Sequence, residues 1–346
     1  MSRTPESASY PSDPVDKRAH LASKIGAARF GYITPMTRIR STRSSRVRDQ
    51  RSGSGGSFGL GGLPIRLPGG GRGSGLPIGP IGAGGSLVGL LVVLALVFLP
   101  RVGGGGVGGG GSPADEPSGA YGAAQDGPTD CATELEQIVC GAVDDVSDFW
   151  HEQYPQSFQG TFPGTDTVLF SDTVSTGCGQ ASASMGPFYC PVDQLVYVDL
   201  GVLDELQTRF GAVGDLAAQY IVAHEYAHHV QNVTGIADRV AAAESSFSSS
   251  ANALSVAQEL QADCFAGTWA RSLATRGQLD NPGEIVEAQR AAAAVGDDRV
   301  MEASGAEVDP ERFTHGSSDQ RRYWFTRGYD TGDPELCTTF DGSLAP

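Results

Sequence analysis

After Arg101 the chain has no lysine and only ten arginines, set against thirty-six aspartates and glutamates. So thin a supply of cations excludes direct binding of nucleic acid or an anionic membrane by that part of the chain, and favours a soluble acidic surface. No cysteine precedes Cys131, and no two cysteines have the CxxC spacing of a thiolate zinc site. All six, at Cys131, Cys140, Cys178, Cys190, Cys264 and Cys337, fall in the acidic part, a distribution that fits an oxidising compartment. From Gly73 to Pro100 there is no charge at all, which excludes an ordinary charged surface element there.

What is present divides the chain. Its 48 glycines and 20 prolines are too many for compact folding throughout. Residues 1–72 carry thirteen Lys and Arg against four acids, and are expected to form a disordered basic arm that meets anionic lipid rather than nucleic acid. The uncharged run, bracketed by Arg72 and Arg101, reaches the roughly 20 residues of a membrane span if it starts near Ile81. One uncleaved transmembrane helix over 81–100 is therefore expected, with a cytoplasmic N-terminus by the positive-inside rule. Met36 is a second possible start besides Met1. Residues 101–129 read as a glycine-rich tether. Residues 130–346 remain as one extracytoplasmic domain, long enough for a real core.

Within that domain the patterning predicts a helix over 132–153, strands over 166–172 and 194–200, and helices over 215–233, 255–275 and 282–295. A helix, strands and then several helices imply an α+β fold, mainly helical, with a small sheet. Cys178 and Cys190 bracket a loop with turn residues at both ends and form the expected pair. The other four cysteines allow three pairings.

Ala223-His-Glu-Tyr-Ala-His-His-Val-Gln231 contains HExxH. Residues four apart on a helix differ by about 40°, so His224 and His228 present imidazoles on one face, whereas His229 turns about a further 100° away into a packing or hydrogen-bonding role. Glu225 stands beside the first imidazole, where a general base is needed. A catalytic zinc also requires a third protein ligand. Glu259-Leu-Gln-Ala-Asp263 again sets two carboxylates four apart, Glu259 as that ligand and Asp263 as the acceptor that orients a ligating imidazole. For the oxyanion, the segment after Thr314 offers His315, Arg321 and Tyr323, with His315 preferred because it precedes glycine in a polar turn. The strand at 194–200 is the candidate edge for an extended peptide.

With Gly186-Pro-Phe-Tyr-Cys-Pro191, Gly296-Asp-Asp-Arg299 and Phe313-Thr-His-Gly316 added to these two motifs, the chain resembles the bacterial putative neutral zinc metallopeptidases, membrane-anchored relatives of the gluzincins. The resemblance implies a zincin-like domain, one Zn2+ per chain on His224, His228 and Glu259, and Glu225 as catalytic base. Cys178, Cys190, Cys264 and Cys337 fall at family positions, which suggests Cys264 with Cys337 and leaves Cys131 to pair with Cys140. The expected function is a membrane-anchored zinc endopeptidase, rather than an exopeptidase, acting on a peptide or protein outside the cytoplasm through water activated by Glu225. The alternative is a non-catalytic, zinc-stabilised envelope domain that binds a protein partner.

Overall fold

Thr133 accepts a hydrogen bond from the Glu136 backbone N–H while the Glu136 carboxylate accepts from the Thr133 N–H, so the domain's first long helix starts on a reciprocal capping box. The computed structural model describes residues 38–51, 128–210, 214–247 and 250–340. Its strands are β1 (Arg43–Ser44), β2 (Val47–Asp49), β3 (Thr129–Asp130), β4 (Thr167–Phe170), β5 (Thr173–Thr176), β6 (Gly179–Ser182), β7 (Phe188–Cys190) and β8 (Leu195–Asp199). Its helices are α1 (Glu134–Ser157), α2 (Leu200–Phe210), α3 (Asp215–Val233), α4 (Ile236–Ser246), α5 (Ala251–Thr275), α6 (Gly283–Ala294), α7 (Asp297–Ala303) and α8 (Ser318–Thr331). The fold is α+β and mostly helical, as the element order predicts.

The 19-residue α3 lies at the centre, buried on nearly every face and packed by α1, α5 and α6. Its alanines at 217, 218, 223 and 227 let those neighbours approach. Helices α5 and α8 form the most extensive helix pair, crossing where Gly267 meets the Phe325 carbonyl and Gly328 meets the Cys264 carbonyl. A methyl group at either glycine would collide with backbone, so the Gly267 of the ELQAD segment serves this close approach. Disulfides join Cys131 to Cys140, Cys178 to Cys190 and Cys264 to Cys337.

The main sheet runs β2-β4-β8-β7, with β2, β4 and β8 parallel and β7 antiparallel. This order corrects the expected substrate edge: β8, the strand predicted over 194–200, has neighbours on both sides, and β7 is the terminal strand.

The basic arm also needs correction over residues 38–51, which belong to the domain's compact unit. Strand β2 pairs in register with β4, and β1 pairs with β3. Ile39 and Val47 are buried in the main core, and Gly141 on α1 lacks the side chain that would strike the Ile39 carbonyl. All six arginines of the segment find acids in the rest of the domain: Arg38 with Asp280, Arg40 with Asp215 and Glu134, Arg43 with Asp130, Arg46 with Asp148, Arg48 with Asp166 and Arg51 with Glu136. The local basic charge complements the distant acidic surplus.

No helix among the described residues is long and apolar enough to cross a membrane. The span expected over 81–100 lies outside the described residues, as do most of the arm and the tether expected over 101–129 except at its end, where Thr129 belongs to β3. The expected topology is nonetheless corrected. Because β2 and β4 share hydrogen bonds, residues 38–51 lie on the same side of any membrane as residues 128–340, and one crossing between them cannot hold.

Candidate metal centre

Helix α3 carries His224 and His228 on successive turns, and α5 brings Glu259 to them, so that one ligand atom from each lies within 4.8 Å of the others. The His224 Nε2 is 3.1 Å from one Glu259 oxygen and the His228 Nε2 is 3.4 Å from the other. Both imidazoles turn their Nδ1 away from this meeting point: His224 toward Asp263 at 2.9 Å and His228 toward the Gln231 side-chain oxygen at 2.9 Å. Acceptors at Nδ1 hold a proton there, so that Nε2 is the nitrogen each imidazole would offer a metal ion. Two nitrogens and one carboxylate, closely set, with His224 and Glu259 buried and His228 partly so, are a donor set that fits Zn2+.

The surroundings fix these groups in place. Asp263 is fully buried and receives the Arg321 guanidinium on both oxygens, at 2.8 and 3.0 Å, together with the Tyr220 hydroxyl. Burial works against its charge, yet Arg321 and His224 hold its carboxyl below the usual range. Burial likewise opposes charge on Glu259, and the imidazoles of His228, His224 and His315 more than offset it, holding that carboxyl well down. His228 is lowered to about 4, chiefly by burial. His224 is raised to about 9: burial lowers it, but Asp263 and Glu259 prevail.

Glu225 lies next to the cluster and is pushed up to about 8, chiefly by burial, with Glu259 adding to the effect while His224 and the Tyr189 backbone N–H on β7 pull it back. It is thereby set apart from the strongly acidic Glu259, a separation of roles expected where one carboxylate binds and the other moves protons.

His315 is buried, and Asp297 organises its turn. One Asp297 oxygen accepts from the backbone N–H groups of Thr314, His315 and Gly316 at 2.7, 2.7 and 3.0 Å, and the other meets the His315 Nδ1 at 3.2 Å. It is not a helix cap, because Ser317 and Gln320 cap α8 reciprocally. Of the other oxyanion candidates, Arg321 is committed to Asp263. Tyr323, two residues on and therefore about 200° around α8, is exposed. His229 takes the packing role expected of it: its Nδ1 meets the Tyr189 hydroxyl at 2.9 Å, it stacks edge-on with Phe162, and burial lowers it to about 4.

Sequence reasoning missed the Asp297 carboxylate and the assignment of Arg321 to Asp263. The Gly296-Asp-Asp-Arg299 and Arg321-Arg322 segments were visible, but nothing local said which acid each basic group would meet.

A family model described as "Putative neutral zinc metallopeptidase" matches residues 36–340. The uncharacterized protein YpfJ of Escherichia coli strain K12 is 41% identical over 216 residues, which cover 62% of this chain and 74% of that one. The uncharacterized proteins Rv2575 of Mycobacterium tuberculosis strain H37Rv and Mb2605 of Mycobacterium bovis are each 45% identical over 185 residues, 51% of this chain and 62% of theirs. No solved structure matches the chain.

Proposed function

Because the chain belongs to the putative neutral zinc metallopeptidase family, we propose that it is a zinc-dependent endopeptidase in which His224, His228 and Glu259 hold one Zn2+ and Glu225 is the general base. The observation that carries this reading is the convergence of those three ligand atoms from two helices, with Glu225 buried at their side. When bound, Zn2+ supplies a Lewis acid that polarises the scissile carbonyl and acidifies water.

The chain's own residues do the rest. Glu225 takes the proton of the attacking water and passes it to the leaving amine, and a carboxyl raised toward neutrality by burial is suited to both transfers. Its orientation is helped by the Tyr189 N–H. His315, held at Nδ1 by Asp297, offers Nε2 to the oxyanion. An extended peptide adds along the outer edge of β7, pairing by main chain. Such an edge accepts residues on both sides of the cleaved bond, which favours internal cleavage.

Three disulfides support an extracytoplasmic domain. The uncharged run 81–100 is proposed as the membrane contact, entered and left from the side that carries both residues 38–51 and the domain.

The test is zinc content and cleavage of a peptide library by the full chain and by Glu225→Gln. The native chain should cleave, and the variant should keep its zinc and lose at least about a hundredfold in kcat. A zinc-loaded native chain that cleaves nothing would favour the partner-binding envelope domain instead.

A further inference from the structure

Two glutamines of the recognised motifs, Gln231 and Gln261, have no part in the chemistry above, yet both are buried between α3 and α5. The Gln261 side-chain N–H donates to the backbone carbonyl of Cys337 at 3.0 Å. The Gln231 side-chain N–H groups donate to the Gln261 side-chain oxygen at 3.0 Å and to the Gln258 backbone carbonyl at 2.8 Å. The Gln231 oxygen then faces His228 Nδ1 at 2.9 Å.

A backbone carbonyl can only accept, so the direction of every link is forced. Cys337 requires the amide nitrogen of Gln261, which turns the Gln261 oxygen to Gln231. Gln231 must therefore present its nitrogen to Gln261, as the Gln258 carbonyl also demands, and its oxygen to His228. A proton on His228 is thereby held at Nδ1, and its Nε2 is directed at Glu259. Asp263, which also only accepts when ionised, does the same for His224. The two arms meet at one covalent tie, since Asp263 adjoins Cys264 and Cys264 is bonded to Cys337.

We propose that Gln231 is a positioning residue for His228, anchored through Gln261 on the Cys337 carbonyl and so on the Cys264–Cys337 disulfide. The inference rests on the metal reading given above and adds residues that touch neither the metal nor the substrate in the case of Gln261.

The experiment uses the full chain with Gln231→Met and Gln261→Met, near in volume, unable to donate and at most weak acceptors. Zn2+ affinity is measured by competition with a chelator, the visible spectrum is recorded with Co2+ at saturation, and the melting of the metal-free protein serves as the fold control. Each variant should bind Zn2+ about 10–100-fold more weakly, as loss of an orienting partner does, and should shift the Co2+ bands, which a purely structural role would leave in place once the site is full. Affinities within about twofold of the native chain with an unchanged Co2+ spectrum would overturn the proposal. So would failure of both variants to fold in saturating Zn2+, which would make the chain of amides a folding element. A native chain that binds neither metal would instead overturn the metal reading itself.

Discussion

Replacing Arg321 with methionine tests whether the charge at the centre of the domain is structural. The guanidinium is 3% exposed and Asp263 is 0% exposed. Two hydrogen bonds join them at 2.8 and 3.0 Å, and further Arg321 N–H groups reach the Tyr220 hydroxyl and the Val295 carbonyl, both at 3.3 Å. Removing the cation leaves an anion in the core with only the His224 imidazole and the Tyr220 hydroxyl as donors. Breaking a buried pair from one side costs about 3–5 kcal/mol, a shift in the folding equilibrium of about a hundredfold to several thousandfold. The assay is guanidinium unfolding of the metal-free protein with its disulfides intact. Asp263→Asn should be costly alone, and the double variant should be less damaged than the sum of the two, because the stranded charge is then gone. A loss below about 1 kcal/mol for Arg321→Met, the range of an exposed pair, would refute the argument.

Other outcomes follow from particular contacts. Gly267→Ala forces a methyl group against the Phe325 carbonyl and should cost about 1–3 kcal/mol by overpacking, measured by the same unfolding curve. Glu287 is raised to about 7, chiefly by burial, with Glu284 and Asp215 adding to it. Between about 4.5 and 7 the unfolded chain ionises at this site while the folded one does not, so its contribution to stability falls as pH rises through that window. Glu287→Gln should therefore melt above the native chain at pH 8 and no differently at pH 4; an equal gain at both would contradict the assignment. Cutting the chain at a protease site inserted between residues 52 and 127 should leave the segment 38–51 bound to the domain in gel filtration at low salt, with added salt weakening its arginine pairs. Release at low salt would show that β2 pairing and the buried Ile39 and Val47 do not hold it.

Much of the site was readable without coordinates because its geometry is local. Helix periodicity placed α3 over 215–233, and spacing of four residues put His224 with His228 and Glu259 with Asp263. The Cys178–Cys190 loop was also legible, since it depends on neighbours in sequence. Residues 38–51 were not. A strand of three residues among arginines has no hydrophobic period, and the segment is placed by partners far along the chain, β4 for the strand and Asp280 for Arg38, and by a gap on α1 at Gly141. The edge of the sheet was misjudged for a related reason: alternation marks β8 as a strand but says nothing of how many partners it has.

By itself, then, the sequence determined which side chains share a helix face, because that follows from the fixed rotation per residue. Only the tertiary structure decided which faces meet: α3 against α5 at the candidate metal centre, Arg321 on Asp263, Gln231 on Gln261, and the N-terminal arginines on the domain's acids. The α5–α8 crossing that presents Arg321 is set by close packing at Gly267 and Gly328, Arg321 and Asp263 are buried charges that require one another, and no local pattern in the chain encodes these choices.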